Sequence, residues 1–242
     1  MCTLALVVPA PGGILQVAAN RDEFLRRPAA PPHRWEGRDW LAPQDLEAGG
    51  TWLGINARGL FVGVTNRAGA PRQPERRSRG LLVTDALVAP DARSLHAQLA
   101  ELPAQQFNAF HLAYADGTWA GVTWSDGRQL FHEALPPGVH VLTERSFGAG
   151  DDGTRVERLR AQVAKAGVLG LEAWLGLLAA HAPTSRESTC VHADPVGYGT
   201  RSAFVLHRAP SVRQSACTWT DGRPCTTPAE SGTELLQAMA RW

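Results

Sequence analysis

The stretch MCTLALVVPAPGGILQVAANRDEF, residues 1–24, decides the fold. Residues 3–8 and 14–19 are short β-forming runs on either side of PAPGG, whose prolines and paired glycines signal a turn. Together they predict an antiparallel hairpin. In such a hairpin, position 2 of the first strand lies close to the residues that follow Ala19. The pairing therefore brings Cys2 beside the tetrapeptide NRDE, residues 20–23.

Cys2 has two readings. A free cysteine behaves as a small hydrophobe and often fills a core. Removal of Met1 would instead make Cys2 an N-terminal nucleophile that carries its own base. A thiol titrates near about 8.5 and an α-amino group at about 7.7–8.0, so near neutrality a useful share of the amine is free to accept the thiol proton. Within NRDE, Arg21 could favour the thiolate electrostatically and Asp22 could hold and orient the protonated amine. Asn20 and Glu23 could hold the turn or contact substrate. An ordinary charged strand-to-loop transition is the competing account of this run.

The composition fits a globular protein. The chain has 242 residues, 44% hydrophobic and 19% charged, with a formal net charge of +1, long enough for a substantial core. Basic residues are scattered among acids apart from short groups such as Arg76, Arg77 and Arg79, so nucleic acid is not an expected partner. The first apolar run stops at Pro9 with no basic residue before it, and no stretch reaches about 18 apolar residues. A cytoplasmic protein without a membrane span is expected. Four cysteines in a chain of this size do not make a disulfide framework. Cys190 and His192 in CVH have metal-ligand character, but seven residues intervene between Cys217 and Cys225, outside the usual zinc spacing. No metal is assigned, and Cys190, Cys217 and Cys225 are read as core fillers.

Further along, 28–43 is rich in Pro, Trp and Arg and reads as an ordered loop. Residues 51–56 and 60–66 form a second hairpin across ARG, with Gly54 and Gly63 as points of close approach. Helical periodicity marks 81–88 and 92–102; strands follow at 110–114, 118–124 and 139–142; helices at 155–166 and 169–180; strands at 202–207 and 213–219; and a terminal helix at 230–241. Antiparallel strands, paired helices and strands again predict a layered α+β fold. With no internal repeat and no linker, one domain over 1–242 is expected.

MCTLALVV, AANRDEF with RP close behind, DLEAGGTWLGIN, GVTNR, SRGLLV, NAFHLAYAD and YGTRS follow the order of the NRDE family, named for its tetrapeptide and including the transport-and-Golgi-organisation protein 2 group. The resemblance is dense over 1–84 and sparse over 108–208. That family in turn resembles the N-terminal nucleophile hydrolases of the choloylglycine hydrolase and penicillin V acylase type. The implied architecture is a four-layer αββα sandwich with antiparallel sheets. The resemblance assigns the nucleophile to Cys2, the second-strand aspartate to Asp22, and an oxyanion-binding asparagine to Asn66, beside Thr65 in GVTN. Ala19 stands where the acylases have an arginine, and Arg21 is the nearby candidate to take its place. Where they carry a second asparagine this chain has Thr143 and Glu144, and a carboxylate cannot donate to an oxyanion. GAGDDGTRVERLRA resembles the stretch with their last catalytic arginine, which points to Arg155, whereas the NRDE pattern points to Arg201. Either arginine could equally be a structural ion pair. Trp52, beside paired glycines, is either a substrate-facing wall or a buried aromatic.

The function implied is hydrolysis of a non-peptide C–N amide bond in a small molecule through an acyl-thioester on Cys2, without a cofactor. The alternative keeps the fold and drops the chemistry, leaving a pocket for a hydrophobic ligand such as a lipid, acyl-CoA or haem; no axial haem ligand stands out. A small-molecule substrate or such a ligand is the expected partner, and a homo-oligomer stays open.

Overall fold

The computed structural model describes residues 2–151, 153–185 and 187–240. β1 (Thr3–Val8) and β2 (Leu15–Phe24) pair antiparallel, with Thr3 opposite Asn20 and Val7 opposite Gln16. Side chains alternate across a strand, and here both faces are buried. Leu4, Leu6, Leu15, Val17 and Ala19 enter one apolar cluster, while Ala5 and Ala18 enter another. Burial on both faces is why these strands read as nearly continuous apolar runs.

The hairpin lies at the centre of the first sheet. Its order is β10 (Gly138–Leu142), β1, β2, β12 (Tyr198–Arg208), β13 (Ala216–Thr220) and β14 (Glu230–Ser231), with β11 (His192–Ala193) also on β12. The second sheet is a meander of β3 (Ala29–Arg34), β4 (Trp40–Asp45), β5 (Leu53–Asn56), β6 (Phe61–Asn66), β7 (Phe110–Ala115), β8 (Ala120–Ser125) and β9 (Leu130–Ala134). Among the described residues every named strand pairing is antiparallel.

Three apolar cores set the layers. The inter-sheet core joins Leu4, Leu6 and Phe204 of the first sheet to Leu53, Ile55 and Phe61 of the second. Outside the second sheet, Val62 and Leu112 meet Leu82 and Val83 of α1 (Arg79–Ala86) and Leu95 of α2 (Ala92–Ala100). Outside the first, Ala18 and Val205 meet Leu159 of α3 (Gly153–Ala166) and Trp174 of α4 (Leu171–Leu178). The result is the expected αββα sandwich. A last helix, α5 (Thr233–Met239), places Leu236 and Met239 in the inter-sheet core.

Several segments differ from the sequence-based expectation. Residues 28–43 are not a loop: they hold β3 and most of β4. Proline disqualifies a central strand but is tolerated at an edge or bulge. β3 is the sheet edge, its register shifts between Ala30 and His33 around Pro31 and Pro32, and Pro43 lies beyond the stretch of β4 that β5 pairs. β9 is a further edge strand whose half-exposed residues carry little apolar pattern. The strand expected at 213–219 begins with a 3-10 turn, Val212–Gln214, before β13. The helix expected at 230–241 opens as β14, and its end at Arg241 lies outside the described residues. No helix among the described residues is long and apolar enough to cross a membrane.

Candidate active site

Cys2 precedes β1 by one residue, and the strand's alternation puts its side chain with Leu4 and Leu6, facing the second sheet. It lines a tight crevice, without room for a water, together with Leu4, Trp52, Leu53, Gly63 and Thr65. The half-buried thiol donates to the Asp22 carbonyl oxygen at 3.9 Å. Tyr198 donates its hydroxyl to the same oxygen at 3.0 Å. Asp22 and Thr200 are register partners in β2 and β12, and Thr200 donates Oγ1 to Asp22 Oδ1 at 2.6 Å. The ladder breaks directly afterwards, between Thr200 and Ser202, so Arg201 is a bulged residue. A bulge re-aims side chains next to such a site.

Electrostatics at this junction are governed by burial. The Asp22 carboxyl is pushed up to about 7 because it is taken out of water; the Thr200 hydrogen bond and the Arg155 charge pull it down, while the Glu144 charge pushes it further up. Burial also raises the Cys2 thiol, with the Asp22 charge adding to it. Arg21 pulls the thiol down, as its sequence position suggests, but burial prevails. Tyr198 is raised by burial and by the negative charges of Cys2, Asp22 and Glu144. Cys2, Asp22, Glu144, Arg155 and Tyr198 thus share one electrostatic neighbourhood. Glu144 also lies 3.8 Å from Arg145 Nε, and Arg155 is buried in the first turn of α3.

Thr65 lines the crevice, but its hydroxyl hydrogen is committed. His111 Nε2 lies 3.0 Å from the Ser146 carbonyl, which can only accept, so Nε2 carries the proton and Nδ1 accepts from Thr65 Oγ1 at 3.0 Å. Burial holds His111 neutral, with its pKa lowered to about 4. Asn66 ends β6 with an exposed side chain. Asn20 faces the helix layer, where Nδ2 donates to the Leu178 and Thr189 carbonyls at 2.9 and 2.8 Å. That amide ties backbone together and is turned away from Cys2.

On the other side of Trp52 lies a narrow cleft of about 20 Å³, lined by Arg21, Asp45, Trp52, Arg201 and Phe204 among others. Arg21 Nη2 pairs with Asp45 at 3.1 Å and approaches Glu23 at 3.9 Å, while its buried Nη1 has no hydrogen-bond partner among the described residues. Arg201 pairs with Asp221 at 2.6 Å. Glu23 accepts from the Phe24 amide at 2.9 Å. Arg155 therefore lies on the Asp22 side and Arg201 on the cleft side, with Trp52 forming a wall of both spaces.

Tyr198, Thr200, Asp45 and Arg79 belong to this region without having stood out in the sequence. Arg79, which heads α1 and donates to the Ala109 carbonyl at 2.9 Å, is held below its usual pKa by burial, with Cys2 and Glu23 within electrostatic reach. Thr200 lay within YGTRS, but only the strand register connects it with Asp22.

The fold has counterparts among solved structures. A Caenorhabditis elegans N-acylethanolamine-hydrolyzing acid amidase ortholog superposes with a TM-score of 0.56 at 12% identity, covering 84% of this chain and 92% of that one. A variant of conjugated bile acid hydrolase from Clostridium perfringens gives 0.57 at 11% identity, covering 97% and 93%. Such low identities speak for the fold alone, the αββα sandwich shared with these structures. In sequence, the Mus musculus Transport and Golgi organization 2 homolog is 35% identical over 106 residues, 42% of this chain and 38% of the relative. The chain thus spans well under half the length of that curated relative. The profile of the Transport and Golgi organisation 2 family matches residues 1–168, which hold Cys2, NRDE, Trp52 and Arg155; by that match, the chain belongs to this family.

Proposed function

We propose that this protein is an N-terminal-cysteine amidohydrolase that cleaves a linear, non-peptide amide of a small molecule. The observation that carries the proposal is the register of β1, β2 and β12, which sets the Cys2 thiol against the Asp22 backbone carbonyl while Thr200 holds the Asp22 carboxyl. Once Met1 is removed, the Cys2 sulfur bonds to the acyl carbon as its proton passes to the α-amine. That proton goes to the leaving nitrogen as the C–N bond breaks, releasing an amine and leaving an acyl-thioester. Water, deprotonated by the same amine, cleaves the thioester to a carboxylic acid and restores the thiol. Because burial keeps the resting thiol protonated, the base must act during attack. Asn66 at the end of β6 and Arg79 are the side chains proposed to meet the oxyanion; the Thr65 hydroxyl is already used by His111.

The narrow cleft beside Trp52 is the space proposed to take the acyl portion, and Arg21 and Arg201, ion-paired with Asp45 and Asp221, line it. Two structural neighbours are named for hydrolysing N-acylethanolamine and conjugated bile acid, which supports an acyl-amide substrate. A cytoplasmic setting accords with cysteines that are all free.

Intact-mass measurement before and after incubation with acyl-amide and β-lactam probes tests the proposal. Loss of Met1 and a covalent adduct that disappears in Cys2→Ala are expected. Retained Met1, or full amide cleavage by Cys2→Ala, overturns it. A second reading, a catalytically silent fold holding a lipid, acyl-CoA or haem, draws on Glu144 and on the narrow crevice at Cys2. Tight ligand binding unchanged in Cys2→Ala, with no turnover across an amide panel, would favour that reading.

A further inference from the structure

Away from the Cys2 crevice, three segments converge on a cluster for which amide hydrolysis has no use. The Cys190 and Cys225 sulfurs are 3.5 Å apart, and His192 Nε2 lies 3.6 Å from the first and 3.3 Å from the second. The His181 ring stands edge-on to that of His192, with centroids 4.8 Å apart. All four donor atoms fall within 4.8 Å of one another. His181 follows α4, Cys190 and His192 flank Val191 at the start of β11, and Cys225 lies in the turn after β13. Cys217 is buried in the inter-sheet core and Cys190 is fully buried too, whereas Cys225 and His192 are half-buried and His181 is exposed.

We propose that His181, Cys190, His192 and Cys225 form a tetrahedral site for a thiophilic divalent cation, zinc foremost. With Zn–S of about 2.3 Å and Zn–N of about 2.0–2.1 Å, an ideal tetrahedron has edges of about 3.8 Å between sulfurs and about 3.6 Å between sulfur and nitrogen. The three distances above lie within about 0.3 Å of those edges. Two thiolates and two imidazoles select zinc over the oxygen-preferring magnesium and calcium. On binding, both thiols release their protons to solvent, so the metal and its four ligands carry no net charge. Four protein ligands close the coordination shell, as in structural sites. The exposed His181 provides the entry path.

The position explains what such a site would hold. Val191, between two ligands, donates its amide to Thr200 Oγ1 at 2.8 Å, and Thr200 in turn donates to Asp22. The cation would fasten the 181–192 segment and the turn bearing Cys225 to the strand that carries Thr200.

Elemental analysis of the full chain, purified under reducing conditions without added metal, tests the inference. About one zinc per chain is expected, falling below about a tenth of an equivalent in Cys225→Ser and in His192→Ala, and unchanged in Cys2→Ala. Cobalt(II) titrated into chelator-treated wild-type protein should give tetrahedral d–d bands and a thiolate charge-transfer band, a readout independent of whether the variants fold. Wild-type protein that takes up neither metal in this way overturns the inference. So does zinc retained by the Cys190→Ser/Cys225→Ser double variant. Metal content is read without reference to turnover, so an inactive enzyme leaves the result intact.

Discussion

Asp22 concentrates the conflict of this site in one residue. It has a hydrogen bond from Thr200 and the Arg155 charge nearby, both of which favour the carboxylate, yet burial outweighs them and lifts its pKa from 3.8 to about 7. A carboxyl whose folded pKa is raised binds its proton more tightly in the folded state, so its contribution to stability is intact below about pH 4 and is lost as pH rises toward 7. Asp22→Asn removes that dependence. Compared with wild type, the variant should gain stability progressively between pH 4 and pH 7, by at most about 4 kcal/mol, while amide cleavage is lost. Urea unfolding across that pH range measures the difference, and a difference that stays flat with pH would show that the carboxyl does not feel its burial. That Cys2 lies beside the Asp22 backbone was legible from the hairpin alone. The direction of the thiol shift was not, because it depends on desolvation, which only the packed second sheet creates. Asn20 shows the same limit: its face follows from strand alternation, but its two carbonyl partners come from α4 and residue 189, far along the chain.

At the scale of elements, two sequence motifs explain each other. The glycines of DLEAGG and SRG meet backbone to backbone: a Cβ at Gly50 would come within 2.3 Å of the Gly80 carbonyl carbon, and Thr51 donates its amide to the Gly80 oxygen at 3.1 Å. Two residues beyond Gly50 stands Trp52, and one residue before Gly80 stands Arg79, so this contact sets the Trp52 wall against the head of α1. Gly49 differs, since its φ of +73° is the constraint and the space around it is open. Gly49→Ala should therefore cost about 1–2 kcal/mol through backbone strain alone. Gly50→Ala should cost more and also move Trp52, lowering activity beyond the loss in stability. Comparing denaturant midpoints with residual turnover separates the two, and equal, purely thermodynamic losses would refute the close-approach account. The motif order signalled that these segments matter. That they touch was hidden, because it requires α1 to pack on the outer face of β5 and β6. The proline-rich edge strand was hidden for a different reason: β3 has a composition that only an edge position tolerates, and edges are a property of the whole sheet.

For the whole molecule, the layer order rests on one core that runs the length of the sandwich. It begins at Leu4, two residues from the candidate nucleophile, and continues through Phe61 and Phe204 to Leu236 and Met239 of α5. A terminal helix is expected at 230–241, but the seven residues of α5 have too little periodicity to reveal that they close the space between the sheets rather than cover an outer face. The same loss of information at a distance hid the Cys/His cluster. Ligand spacing was judged along the chain, whereas the fold gathers the four donors from three segments. The closing role of α5 makes a definite demand on stability. Leu236 is fully buried, and truncating such a leucine leaves a cavity on top of the lost transfer energy, typically about 2–5 kcal/mol. Leu236→Ala should lower the urea midpoint by a corresponding amount with an unchanged slope, since the same surface is exposed on unfolding. Leu235, its chain neighbour, is 40% exposed, and Leu235→Ala should change the midpoint far less. Similar losses at both positions would mean that α5 lies on the surface, and the continuous core described above would then end at β13.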